Sequence, residues 1–154
     1  MNLPNFDSRN KRIVICASAS CYRQALDAAD VLTSRGYAAT VPKVAARMRE
    51  IGDYRVETYK TWFQNPDDYS MKNDYVLSHF REIAEGDAVL VVNEPKNEVA
   101  GYIGGAVLME MAIALYLGKP IFLLHPPAEQ SPYLEEILAM QPMVLDGDLT
   151  KLSL

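Results

Sequence analysis

The chain has 154 residues, 49% of them hydrophobic and 23% charged, which fits one globular domain and excludes a disordered or low-complexity protein. Fifteen basic residues against twenty acidic ones leave a formal charge of -5, which speaks against sequence-independent binding to nucleic acid. Two cysteines, Cys16 and Cys21, are too few for a disulfide framework, and no Cys/His grouping has zinc-ligand spacing, so no metal or other cofactor is expected.

The N-terminal stretch MNLPNFDSRNKR has no apolar leader segment. The one stretch long enough to consider as a membrane span, 99–118, carries Gly104-Gly105 and a central Glu110. A central acidic residue costs about 2.5–3.5 kcal/mol on insertion, so the stretch reads as a buried core helix. The expectation is a cytoplasmic protein with both thiols reduced and no membrane partner.

In chain order, residues 12–17 form a short, continuous apolar run, as expected of a strand buried on both faces. Ser18-Ala-Ser20 makes a good helix start, and the stripe Ala25, Leu26, Ala29, Leu32 predicts a helix over 22–35 closed by Gly36. A weaker strand is expected over 38–41, then helices over 44–51 and 54–63, with Pro66 breaking the pattern. A clearer helix is expected over 75–85 and the strongest strand over 88–92. A polar loop, 93–98, a helix over 104–117 and a strand over 120–124 follow. A short helix over 133–140 and a last strand over 143–145 end the chain. Strands alternating with helices predict one α/β domain, a doubly wound five-stranded parallel sheet of Rossmann or flavodoxin-like type. Such sheets bind ligands at the carboxyl ends of their strands, which gathers 17–22, 93–105 and 125–133 around one cleft.

Glu110 is the only charged side chain between Glu98 and Lys119. Its helical neighbours Ala106, Val107, Ile113 and Ala114 are apolar, and the opposite side carries Met109, Ala112, Leu115 and Tyr116, so this helix is expected to be buried all round. A carboxylate there is either paired with an arginine across the sheet, neutral, or lining a cavity. The preceding Gly101-Tyr-Ile-Gly-Gly105 would let a ligand approach backbone and the helix amides. Glu110 follows Gly105 by five residues, about 7.5 Å along the axis, and so faces back toward the cleft.

These features resemble the nucleoside 2-deoxyribosyltransferase-like superfamily. The resemblance is clearest in Gly86-Asp-Ala-Val-Leu-Val-Val92, in the glycine loop Gly101 to Gly105, and in Leu108-Met-Glu110-Met-Ala-Ile-Ala-Leu-Tyr-Leu-Gly-Lys-Pro-Ile121. It extends to the opening strand–loop–helix, covers a third to a half of the chain, and leaves out 43–72. It implies a transferase or N-glycosidase acting on a nucleoside or nucleoside monophosphate, with Glu110 as nucleophile and a homodimer or larger homo-oligomer. An acidic residue before the third strand would contact the sugar, and Asp74 and His79 are the nearest local candidates for that partner. The alternative is a non-catalytic nucleotide-binding or sensing module on the same fold.

Other residues are candidates for substrate binding. Ser18, Ala19, Ser20 and Tyr22 sit at a helix start and can cradle a phosphate through amides and hydroxyls, or simply cap the helix. In so acidic a chain, backbone amides rather than a lysine cluster are expected to hold such a phosphate. Tyr102, Gly104 and Gly105 belong to the glycine loop, while Asn93 and His125 follow strands and can meet a sugar or only order turns. Tyr54, Tyr59, Trp62 and Phe63 can stack on a base or pack against the sheet. Cys21 is expected to be inert.

Overall fold

The computed structural model describes residues 10–154, so the N-terminal segment read above lies almost wholly outside the described residues. Five strands form one parallel sheet in the order β2-β1-β3-β4-β5. They are β1 (Arg12–Cys16), β2 (Ala38–Thr40), β3 (Ala88–Val91), β4 (Ile121–Leu123) and β5 (Met143–Val144). The chain moves outward from β1 to β2, then crosses back and proceeds from β3 to β5. Crossovers of one hand place the helices of the two halves on opposite faces. The fold is therefore the doubly wound α/β arrangement that the alternation implied.

Period-two alternation feeds both faces. Ile13, Ile15, Ala88, Leu90 and Phe122 join Leu32 of α1 (Tyr22–Ser34) in one core layer. Val14, Cys16, Val89, Val91 and Leu123 point the other way, into the layer with Ile83, Met111 and Ile137. Those three come from α4 (Tyr69–Glu85), α5 (Gly105–Tyr116) and α6 (Leu134–Ala139). Cys16 thus lies on the α4–α5 face because of strand parity alone.

The middle of the chain differs most from expectation. Between α2 (Lys43–Ile51) and α4, only Val56–Tyr59 is α-helical, as α3. Asp53 competes for the local donors there, accepting from the Arg55 amide at 3.0 Å and the Thr58 hydroxyl at 2.8 Å. Helix α4 starts at Tyr69, six residues earlier than its apolar stripe suggests, directly after a 3₁₀ turn over Pro66–Asp68. Its first turns face a cavity through polar side chains, so apolar periodicity did not mark them. The expectation that α5 is buried all round is corrected. Val107, Met111 and Ala114 are buried, but Leu115 and Tyr116 face outward, Tyr116 being 87% exposed, and Met109 borders a cavity. Among the described residues, no helix is long and apolar enough to cross a membrane.

Candidate functional site

A cavity of about 470 Å³ opens at the carboxyl end of β1, between the 17–22 loop, α2–α3, the cavity-facing side of α4 and the start of α5. This is the topological switch point, where the chain turns in opposite directions from β1 and β3 and the loops part. On α4, Lys72, Tyr75, His79 and Glu82 recur at helical spacing and all line the cavity. From the glycine loop and α5 come Tyr102, Gly104, Gly105 and Glu110, and from the first loop Ser18, Ala19, Ser20 and Tyr22. Among the described residues no atom lies within 4 Å of where a Cβ on Gly105 would stand, and no side chain caps α5, so its first amides have no capping acceptor.

Glu110 lies at the floor. Among the described residues its buried Oε2 has no hydrogen-bond partner, and no arginine pairs with it. The nearest cationic group is His79, whose Nε2 is 3.8 Å from Oε2. Burial raises the Glu110 carboxyl above its ordinary range, opposed by His79, by Cys16 and by Lys72. His79 is itself held by Glu82, whose Oε2 lies 2.8 Å from Nδ1. Burial pushes the imidazole down, but the Glu82 hydrogen bond and the Glu110 charge outweigh it, and the His79 pKa ends above its ordinary value. Beneath both, the Cys16 thiol is driven well up by burial and by Glu110, and so stays protonated. Burial also raises the Tyr22 phenol and lowers the Lys72 ammonium, the latter with help from Lys60.

The signs fix a pH dependence. His79 and Glu110 both bind protons more tightly folded than unfolded, so both favour the fold at low pH. The His79 contribution is fully present below about 6.5 and is lost as pH rises through its higher folded value. Melting temperature is expected to fall as pH rises above about 6.5 in the parent protein, and His79→Gln should flatten that slope. An unchanged slope in the variant would show that His79 does not titrate as described.

Four of the sequence candidates lie elsewhere. Asp74 is exposed, because two residues' rotation from Lys72 turns it away from the cavity. Asn93 is 1% exposed and fully used: its amide donates to the His125 carbonyl at 2.8 Å and accepts from the His125 amide at 2.9 Å. His125 Nε2 is 3.1 Å from Glu94 Oε1, over a separate shallow depression. Gly101 borders that depression too, and its backbone is packed against 126–128 rather than toward a ligand. Of the aromatic quartet, Tyr59 and Trp62 line the cavity. Tyr54 instead carries the Arg23 guanidinium 4.0 Å above its ring, and Phe63 is exposed. Cys21 is 3% exposed, and burial raises its thiol.

The sequence reading missed the cavity's lysines. Lys43, Lys60, Lys72 and Lys96 all line it, whereas backbone amides rather than a lysine cluster were expected to meet a phosphate. None makes an ion pair among the described residues. Lys72 lies 5.1 Å from the Trp62 ring centre, and Lys96 lies 5.0 Å from that of Tyr102. Three of the four come from 43–72, where periodicity is weakest. Glu82 and Cys16 were also missed, since nothing in their spacing ties positions 16, 82 and 110 together. Protein-family models, curated proteins and solved structures were compared with this chain, and none matches it.

Proposed function

We propose that the protein cleaves or transfers the N-glycosidic bond of a nucleoside monophosphate or nucleoside, with Glu110 attacking the anomeric carbon. The observation that carries this reading is the Glu110 Oε2 oxygen, buried without a partner at the floor of a cavity. A structural carboxylate would have its lone pairs satisfied. A nucleophilic one keeps an oxygen free for the carbon it attacks through an oxocarbenium-like transition state. The resemblance of the glycine loop and of 108–121 to nucleoside 2-deoxyribosyltransferase-like enzymes supports the same assignment.

His79 touches the nucleophile instead of standing across a sugar from it, so its role in this reading is to orient Glu110. Glu82 holds the His79 ring, and His79, 3.8 Å from Oε2, offsets part of the Glu110 charge without satisfying that oxygen. The cavity volume suits a ligand of nucleotide size. Trp62 and Tyr59 offer faces for a base. The four lysines, Ser18 and Ser20 and the free α5 amides favour a phosphorylated sugar over a bare nucleoside.

The test is incubation of the chelator-treated protein with a panel of nucleosides and their monophosphates, followed by chromatography for free base. Release of base is expected, faster from monophosphates. Binding of the same compounds without release, or exchange, from any of them would instead establish a sensing module.

The finer reading of assembly is a homodimer or larger homo-oligomer in which a second copy covers the outward side of α5. Support comes from Leu115 and Tyr116, large apolar side chains exposed at the C-terminal end of α5. Light scattering at micromolar concentration should give at least twice the chain mass, and Tyr116→Lys should reduce it. A monomeric mass for the parent protein overturns this part.

A further inference from the structure

Three residues far apart in sequence converge beneath the cavity, and each brings a different donor. The Cys16 sulfur, a His79 ring nitrogen and a Glu110 carboxylate oxygen all lie within 4.8 Å of one another. His79 Nε2 is 3.6 Å from Cys16 Sγ and 3.8 Å from Glu110 Oε2. In a tetrahedral zinc centre a nitrogen and a sulfur ligand stand about 3.5 Å apart, given bonds of ~2.0–2.1 and ~2.3 Å. The cluster is therefore near the size of an assembled site.

The surrounding chemistry fits a cation as well. Glu110 Oε2 has no other partner, and Cys16 is wholly buried. His79 Nδ1 is engaged by Glu82 at 2.8 Å, which leaves Nε2 facing the cluster. A carboxylate behind a histidine is the usual device for orienting a metal-ligating imidazole and raising its basicity.

We propose that Cys16, His79 and Glu110 form a site for a zinc-like divalent transition-metal ion, with Glu82 as the positioning residue behind His79. As the ion binds, the thiol loses its proton to solvent and its sulfur forms the metal bond. His79 Nε2 and the Glu110 carboxylate donate lone pairs, and no oxidation state changes. The doubly positive ion, one thiolate and one carboxylate sum to zero charge, which a buried floor accommodates better than a lone carboxylate. Three protein ligands leave a fourth position for water or a ligand from the cavity, the pattern of open zinc sites. The sulfur and imidazole donors select against magnesium and calcium. The site does not rest on the glycosidase reading. While an ion holds Glu110 Oε2 that oxygen is not free to attack carbon, so the glycosidase reading concerns the metal-free protein.

The test is titration of the full, chelator-stripped chain with cobalt(II), followed by displacement with zinc. Expected are one equivalent bound per chain, a thiolate-to-cobalt charge-transfer band in the near ultraviolet, and ligand-field bands of tetrahedral intensity. The charge-transfer band should vanish in Cys16→Ala and persist in Cys21→Ala. Glu82→Gln should keep the band with binding weakened about 10–100-fold. Should Cys16→Ala not fold, His79→Gln serves in its place and must lose cobalt binding with its fold intact. Absence of the band in the parent protein, or its survival in Cys16→Ala or in folded His79→Gln, overturns the proposal. Base release is measured separately with chelator present, so failure of either reading leaves the other standing.

Discussion

Glu110→Gln is expected to give a folded protein that no longer releases base. The amide keeps the shape of the carboxylate and removes its charge, so on the proposed reading the nucleophile is lost while the packing of α5 against β3 and β4 remains. A fall in rate of at least about 10³ is expected, the scale on which loss of a nucleophile is felt. Stability should hold or rise. The Glu110 oxygen at issue has no partner to lose, and its burial favours a neutral group. A carboxylate that served as half of a buried ion pair would behave differently, since breaking such a pair costs about 3–5 kcal/mol. In a chain of this size that is a fall of roughly 6–20 °C in melting temperature. Melting and base release measured on the same variant separate the two roles. Unfolding of Glu110→Gln, or undiminished release, would remove the nucleophile assignment.

Gly101→Ala is expected to be the most crowded glycine-to-alanine change in the described chain and strongly destabilising, without touching the cavity. Gly101 has φ +71, and a Cβ there would stand 2.1 Å from the Pro126 carbonyl oxygen and 2.9 Å from the Ala128 nitrogen. Both contacts are with backbone, which cannot swing aside as a side chain would. The same backbone is bonded to the loop, the Ala128 amide donating to the Gly101 carbonyl at 3.1 Å. Left-handed strain of about 1–2 kcal/mol adds to an overpacking cost of about 1–3 kcal/mol. The sum corresponds to a fall of roughly 4–20 °C in melting temperature. Gly105→Ala is the control: it meets open space, so it should melt with the parent protein yet weaken nucleotide binding if ligand approaches the α5 amides. A melting temperature unchanged in Gly101→Ala would mean that the 101 and 126–128 loops are not packed as described.

Much of this architecture was legible in residue order alone. Continuous β-branched and apolar runs at 12–17, 88–92 and 120–124 marked the three central strands, because a strand covered on both faces has no polar side to show. Gly36 and Gly118 marked helix ends, both with positive φ. Glu110 stood out because a lone charge in an apolar helix demands a reason, and that demand survives without coordinates. The boundaries of α3 and α4 were not legible. Asp53 redirects local hydrogen bonds in the first, and the second begins with polar side chains that face a cavity instead of solvent.

By itself the sequence determined the alternation of strands and helices, hence the parallel sheet and the end at which a ligand would bind. It also determined that Glu110 needs a special environment, since the cost of an unsatisfied buried carboxylate does not depend on which fold buries it. Only the tertiary structure decided what that environment is. Helix rotation turned His79 and Glu82 inward and Asp74 outward, and strand parity set Cys16 beneath Glu110. The packing of 43–72 over the β1 end brought lysines into a cavity whose parent chain is acidic. Those outcomes depend on how elements distant in sequence pack and rotate against one another, and no local periodicity encodes such angles.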